Sequence, residues 1–342
     1  MEQRRIGNTD LVTSVIGFGT WEMSTTMYGD IDVNEASRAV NLAVDHGITL
    51  FDTAEVYGPF HSEELLAKAL GARRRDIVLA TKVGFRYDPE TQRVNGLDST
   101  RENVIARTEG CLRRLDTDVI DLMMIHWPDH DTALEETMGA LEQLKQDGKI
   151  RHYGVSNFDV AMLTECHRHG ALAVNQVGYH LFDRRMEAEV LPWCQANDVG
   201  YMAYGSLGFG LLTGAFTPET TFAEHDWRRR GNAFDLPLFE REPFLAEIRV
   251  CNRLAELAAD HGRSVAQLAL AWVVGHPAVS VALVGMRNEH ELRENVAAAD
   301  WRLTDAIRAD IDRVFEEEGV PTHVDTPQAL SPPGLRRRAS GG

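Results

Sequence analysis

SVIGFGTWE, Ser14 to Glu22, decides between two ways of building a parallel sheet. Its apolar, partly β-branched start reads as a strand, and Gly17-Phe18-Gly19 has the look of a dinucleotide-binding turn. An open, doubly wound sheet needs Gly-x-Gly-x-x-Gly running straight into a helix, the third glycine allowing helix and strand to pack closely. Thr20, Trp21 and Glu22 follow instead, so the third glycine is missing and no helix starts directly. GSLGFG (205–210) has its glycines in another order and follows the seventh strand-like run, not the first. A closed barrel is the better reading.

Outward from this stretch, short apolar runs alternate with longer amphipathic ones. The strand-like runs are 14–19, 48–52, 77–82, 119–126, 150–156, 173–176, 199–204 and 279–285. Helix-period segments fall at 33–46, 62–71, 100–115, 132–147, 159–169, 185–197, 243–261 and 288–299. Asp32, Ser99 with Glu102 three residues on, and Asp159 read as helix starts. The strands are apolar on both faces, as a covered parallel sheet requires. Eight such units predict an α/β fold, a single-domain (β/α)8 TIM barrel over residues 1–318. A long connection, 205–243, follows the seventh strand and reads as a lid or binding loop. An extra helix is expected at 303–318, then a Pro-, Gly- and Ser-rich tail, 319–342, mobile towards its end.

Composition narrows the function. The chain has 342 residues, 44% hydrophobic and 25% charged, with a formal net charge of −17. That charge argues against nucleic acid or an anionic membrane as a partner. Arg triplets at 73–75, 228–230 and 336–338 read as solvated faces. Cys111, Cys166, Cys194 and Cys251 lie far apart without metal-ligand spacing, and read as reduced thiols of a cytoplasmic protein. MEQRRIGNTD lacks the apolar core of a signal peptide. The apolar window 266–285 is split by Gly275-His276-Pro277 into a helical and a β-rich half, which argues against a membrane span. Nothing in the pattern sets an oligomeric state.

Barrel chemistry sits where strands end. Strand 2 ends in Asp52, with Tyr57 in its loop; strand 3 ends in Lys82, strand 4 in His126, strand 5 in Ser156-Asn157, strand 6 in Asn175-Gln176 and strand 7 in Tyr204. Singly, each has an ordinary structural reading: a turn cap, a solvated end, a core histidine. Together, an acid, a phenol, a base and an imidazole on three consecutive strand ends make a proton-transfer site. A free tyrosine titrates near pH ~10 and a lysine near ~10.4, so neither serves neutral-pH chemistry unaided. An ammonium at Lys82 beside the Tyr57 oxygen favours phenolate, and Asp52 offsets the lysine charge.

These residues lie within longer stretches that resemble the aldo-keto reductase family: FDTAEVYG (51–58), ATKVG (80–84), MIHWPD (124–129), GKIRHYGVSNF (148–158), NQVGYH (175–180), AYGSLGFGLLTG (203–214) and GMRNEHELREN (285–295). The resemblance covers roughly residues 1–315. It implies a (β/α)8 barrel that reduces carbonyls with NADPH or NADH, Asp52, Tyr57, Lys82 and His126 forming a tetrad with Tyr57 as general acid. It assigns Ser156, Asn157 and Gln176 to the nicotinamide carboxamide and Tyr204 to stacking on the ring. Gly19, Thr20 and Trp21 line the same mouth, and the backbone from Ser206 through Leu207 and Gly208 to Gly210 approaches the pyrophosphate. Gly285, Arg287, Glu291, Glu294 and Asn295 take the adenosine end. Many relatives have Lys where this chain has Gly285, and Arg or Gln where it has Glu291. NADP(H) is the first expectation from the resemblance, and these two departures make NAD(H) the alternative, since a carboxylate repels a 2′-phosphate but accepts a hydrogen bond from a 2′-hydroxyl. Trp21, Phe60, His61, Phe85, Trp127 and Phe158 are candidates for the substrate wall. The expected partner is a small-molecule carbonyl or alcohol. Two further readings are an aldose or polyol dehydrogenase running oxidatively, and a cofactor-binding regulatory subunit like the potassium-channel β subunits.

Overall fold

The computed structural model describes residues 1–24, 32–333 and 335. Eight parallel strands close into a barrel, each paired with its neighbours in sequence and the last with the first. They are β1 (Ile16–Gly19), β2 (Leu50–Asp52), β3 (Val78–Val83), β4 (Ile120–Ile125), β5 (Ile150–Ser156), β6 (Val174–Gly178), β7 (Gly200–Tyr204) and β8 (Val279–Gly285). Single helices join most of them: α1 (Val33–Asp45), α2 (His61–Leu70), α3 (Arg101–Arg114), α4 (Leu134–Gln146), α5 (Val160–His169) and α6 (Val190–Ala196). Two, α7 (Arg241–Ala259) and α8 (Val265–Val274), lie between β7 and β8; α9 (Glu289–Val296) and α10 (Asp305–Glu318) follow the barrel. No described helix is long and apolar enough to cross a membrane.

Side chains alternate across each strand. Leu50, Ala80, Leu122, Met124, Met202, Val281 and Leu283 point inward and fill the lower barrel. Their neighbours Phe51, Leu79, Met123 and Ala282 point outward and pack under the helices. Gly17 also faces inward: a Cβ there would lie 2.8–2.9 Å from side-chain atoms of Leu50, Val281 and Leu283. The glycine that resembled part of a nucleotide turn therefore makes room for core packing. A hairpin the sequence did not announce, Gln3–Arg5 with Val12–Ser14, places Ile6 and Leu11 against the same inner cluster. Burying such a side chain contributes ~1.5–3 kcal/mol.

Asp32 and Asp159 cap α1 and α5 as expected. The α3 cap differs: Thr100, not Ser99, accepts the amide of Asn103. Ser99 is turned to the next unit, its amide donating to Asp129 Oδ2 at 2.9 Å. The stretch after β3 is also more ordered than a plain loop, Phe85–Tyr87 pairing with Val94–Leu97. All four cysteines are buried free thiols. After α10, Val320 and Val324 pack on the core and Ala329 packs on Phe85 and Trp127. The end of the tail, with the Arg triplet 336–338, lies outside the described residues.

Candidate active site

The inward register that fills the lower barrel with aliphatics continues upward into polar residues. Asp52 follows Leu50, Lys82 follows Ala80, His126 follows Met124 and Gln176 follows Val174, each two positions on along its strand. They are buried at the mouth, Lys82 completely. Lys82 Nζ donates to Asp52 Oδ1 at 2.6 Å, to the Thr53 carbonyl at 2.9 Å and to the Tyr57 hydroxyl at 3.3 Å. Gln176 Nε2 donates to the other Asp52 oxygen at 2.8 Å. Burial pushes the Asp52 carboxyl up and the Lys82 ammonium down, and each is opposed first by the charge of the other.

Tyr57 rides on the turn after β2, which closes through Tyr57 N–H to Ala54 O at 3.1 Å and Phe60 N–H to Glu55 O at 2.7 Å. Its ring meets the His126 ring edge-on at 5.8 Å and faces Trp21 at 6.4 Å. Burial, then the Lys82 charge, holds the His126 pKa well below the usual imidazole range, so the ring is neutral at physiological pH. Its buried Nδ1 has no hydrogen-bond partner among the described residues.

Asp52, Tyr57, His126 and Gln176 open onto a cleft of about 890 Å³, within the range of small-molecule sites, while Lys82 lies fully buried behind its lining. Its lining runs from Asp52, Tyr57 and His126, past Ser156, Asn157, Gln176 and Tyr204, to Arg287, Glu291, Glu294 and Asn295. Gly19, Trp21, Ser206, Leu207, Gly210 and Gly285 line it too, as do Phe85 and Trp127. Asn157 ties the middle together: Nδ2 donates to His126 O at 3.1 Å and Ser156 Oγ at 3.0 Å, and Oδ1 accepts from Tyr204 Oη at 2.8 Å. At the far end Arg287 gives both its backbone amide and Nη2 to Glu291, each at 2.8 Å.

The residues fit a dinucleotide. Gly205, Gly208, Phe209 and Gly210 all have positive φ, 57–106°. Gly208 and Gly210 give their amides to the Gly205 and Leu207 carbonyls at 2.7 and 3.1 Å, and the tight, glycine-rich turn that results would let the backbone approach a diphosphate closely. For Phe209 the conformation is strained, which marks the turn as more than a connector.

Several expectations need correcting. Phe60 is not in the cleft; its φ of 71° swings the ring outward onto Tyr87 and the guanidiniums of Arg107 and Arg114. Phe158 is buried in the outer core. Thr20 and Gly208 are buried behind the lining rather than part of it. The triplet 228–230 is not a plain solvated face: Arg228 and Arg230 line the cleft, and Arg228 pairs with Asp226 at 2.6 Å. The long connection forms 3-10 turns, Gly208–Thr213 and Trp227–Arg230, along one wall. Sequence reasoning missed Glu22, Phe209, Phe234 and the tail residues Pro332, Pro333 and Leu335, all in the lining. Phe234, an aromatic inside a polar loop, was the one with a visible signal; its ring stacks on Trp127 at 6.2 Å.

A match to the Aldo/keto reductase family covers residues 15–316. Aldo-keto reductase YhdN of Bacillus subtilis (strain 168) is 36% identical over 320 residues, 92% of this chain and 94% of that protein. The NADH-specific methylglyoxal reductase of Escherichia coli (strain K12) is 32% identical over 323 residues, 90% of this chain and 96% of the other. Among solved structures, the glycerol dehydrogenase AKR11B4 of Gluconobacter oxydans superposes with a TM-score of 0.85 at 33% identity, covering 96% of this chain and 99% of that one. Fold and sequence agree over nearly the whole length, and the chain belongs to the aldo/keto reductase family, oxidoreductases of carbonyl and alcohol groups that use NAD(P).

Proposed function

We propose that this protein reversibly reduces an aldehyde or ketone at the barrel mouth, with Tyr57 as the acid that protonates the carbonyl oxygen. In the reverse direction Tyr57 is the base that takes the alcohol proton. The reading rests on the three hydrogen bonds given by Lys82 Nζ, to Asp52, the Thr53 carbonyl and the Tyr57 hydroxyl. The Asp52 carboxylate at 2.6 Å opposes the effect of burial and favours the ammonium form of Lys82. Held against the phenol oxygen, it stabilises the phenolate left behind when the proton moves. Asp52 supplies the countercharge, and Gln176 keeps that carboxylate in place. Neutral His126 gives the substrate oxygen a hydrogen bond without adding charge.

Nicotinamide supplies the hydride when bound. Ser156, Asn157 and Gln176 would hold its carboxamide, Tyr204 its ring, the backbone from Ser206 to Gly210 its diphosphate, and Arg287, Glu294 and Asn295 its adenosine. NADP(H) remains the first choice. The hold of Glu291 on Arg287 supports NAD(H) as the alternative, since that guanidinium is already shared with a carboxylate. Trp21, Phe85, Trp127 and Phe234 wall the substrate end and exclude water.

The likeness to a glycerol dehydrogenase favours one second reading, the same residues working on an alcohol. Steady-state rates on aldehydes, ketones and polyols, with both cofactors in both redox states, separate the directions. Tyr57→Phe is expected to lower turnover roughly 10²–10⁴-fold and leave nucleotide binding unchanged. Cofactor binding without turnover on any carbonyl or alcohol would favour a regulatory subunit instead.

A further inference from the structure

Glu22 is a carboxylate in the cleft that the chemistry above does not use. It sits in the 3-10 turn Trp21–Met23 just after β1. It lines the cleft between Trp21, at the substrate end, and Arg287 and Glu291, at the adenosine end. Gly285 makes the place for it: a Cβ on this last residue of β8 would collide with the Glu22 carboxyl. Among the described residues, the charged groups facing Glu22 are Arg287, just before α9, Glu291 from α9 and Arg228 from the long connection. Both guanidiniums are shared with other carboxylates, Arg287 with Glu291 at 2.8 Å and Arg228 with Asp226 at 2.6 Å. Glu22 is only half-buried, and its partial loss of water in the cleft pushes the carboxyl up to about 7, against the pull of its own backbone amide and of Arg287.

We propose that Glu22 sets the affinity of the cleft for its dinucleotide by taking up one solvent proton as the diphosphate enters. This rests on the reading that the cleft holds a nicotinamide dinucleotide, whose diphosphate must join the two ends between which Glu22 stands. As a carboxylate, Glu22 faces a second anion; as an acid, it gives an O–H to a phosphate oxygen and adds no charge. Only an O–H bond to the carboxylate forms, and the proton comes from buffer. The direction follows: an anion beside Glu22 raises its pKa further, so binding is tightest below about pH 7. Affinity then falls by up to roughly tenfold per pH unit until the bound-state value is passed.

The test uses NADH, whose diphosphate does not titrate in this range. Calorimetry near pH ~7.5 in two buffers of different ionisation heat counts protons, and Kd is followed from about pH 6.5 to 8.5. The unmodified protein is expected to take up a large fraction of a proton and to bind roughly tenfold more weakly across the upper half of that range. Glu22→Gln is expected to take up none from this site, to lose that slope and to bind more tightly at the alkaline end. Glu22→Ala, which also removes the hydrogen bond, should lose the slope as well. His290, which also lines the cleft, is present in all three proteins and so does not distinguish them. An unchanged slope and proton count in Glu22→Gln overturns the proposal. So does weaker NADH binding by that variant at every pH, which would make the carboxylate a partner of the arginines. No NADH binding by any of the proteins would overturn the reading of the cleft itself.

Discussion

Asp52 ends β2 and Glu55 lies on the turn that follows, both buried and both paired with cations, yet they face opposite sides of the barrel wall. Asp52 points inward to Lys82 Nζ at 2.6 Å, and its cluster opens onto the cleft. Glu55 points outward to Arg107 Nε at 2.7 Å, beside a second pair, Glu63 with Arg114 Nε at 2.6 Å. The rings of Phe60 and Tyr87 cover those guanidiniums at 4.2–5.1 Å. Burial raises both acids, Glu55 up to about 7. The difference lies in the cation. A guanidinium keeps its charge and bridges in a fixed plane, which suits a clamp on the turn. An ammonium is a compact charge on a flexible stem, which suits aiming at one oxygen. On the proposed function, the inner pair handles a proton while the outer pair holds the loop that carries Tyr57.

The hardest strain on this comparison is Lys82→Met. It leaves Asp52 buried with Gln176 but without its countercharge, a loss of about 3–5 kcal/mol in urea unfolding. Turnover should fall by roughly 10²–10⁴-fold, as for loss of an acid–base group. Adding Asp52→Asn removes the stranded charge and is expected to restore most of the stability but none of the turnover. A Lys82→Met protein that still turns over at near the original rate would reduce the inner pair to a structural role.

Glu55→Gln strains the outer pair. The amide can still accept from Arg107, but the cluster loses a charge and stability should drop by about 1–3 kcal/mol. Turnover should fall less than roughly tenfold, with KM unchanged, because Tyr57 is held more loosely while its chemistry is intact. A loss as deep as that of Lys82→Met would erase the division between the two clusters.

Much of the inner cluster was legible because two regularities fix it. Period-two alternation sends Asp52 and Lys82 inward once Leu50 and Ala80 are core, and a parallel barrel brings all such strand ends to one mouth. The outer cluster and the cleft walls have no such rule behind them. Phe60, three residues after Tyr57, was expected beside it; one left-handed backbone step turns it to the other side of the wall. Arg228 reaches the cleft because Asp226 caps its turn and holds its guanidinium, a local geometry that an arginine run does not disclose. Pro332 and Leu335 line the mouth far in sequence from the strands, on a tail whose path no periodicity sets. Ser99 and Thr100 both suit a helix cap, and the choice fell to the Asp129 carboxylate of the next unit, which claims the Ser99 amide.

The mildest expected effect probes the seam between the two clusters. Thr81 precedes Lys82 on β3 and points outward, its hydroxyl donating to Glu63 Oε1 at 2.7 Å. The Glu63 charge in turn helps keep Lys82 protonated. Thr81→Val keeps the shape and removes the hydroxyl, leaving Glu63 with Arg114 on its other oxygen. Stability should fall by about 1.5–3 kcal/mol, the cost of one buried hydrogen bond to a charged group. If the two clusters work separately, kcat should stay within roughly threefold, because Lys82 keeps its three bonds and Tyr57 keeps its place. Combining Thr81→Val with Glu55→Gln measures the coupling directly. Stability losses should be non-additive, since both changes touch one Glu–Arg network, whereas effects on kcat should simply multiply. Strong non-additivity in kcat would mean that the outer network tunes the lysine as well as holding the turn, and the sheet wall between the clusters would then be a route for charge effects, not a partition.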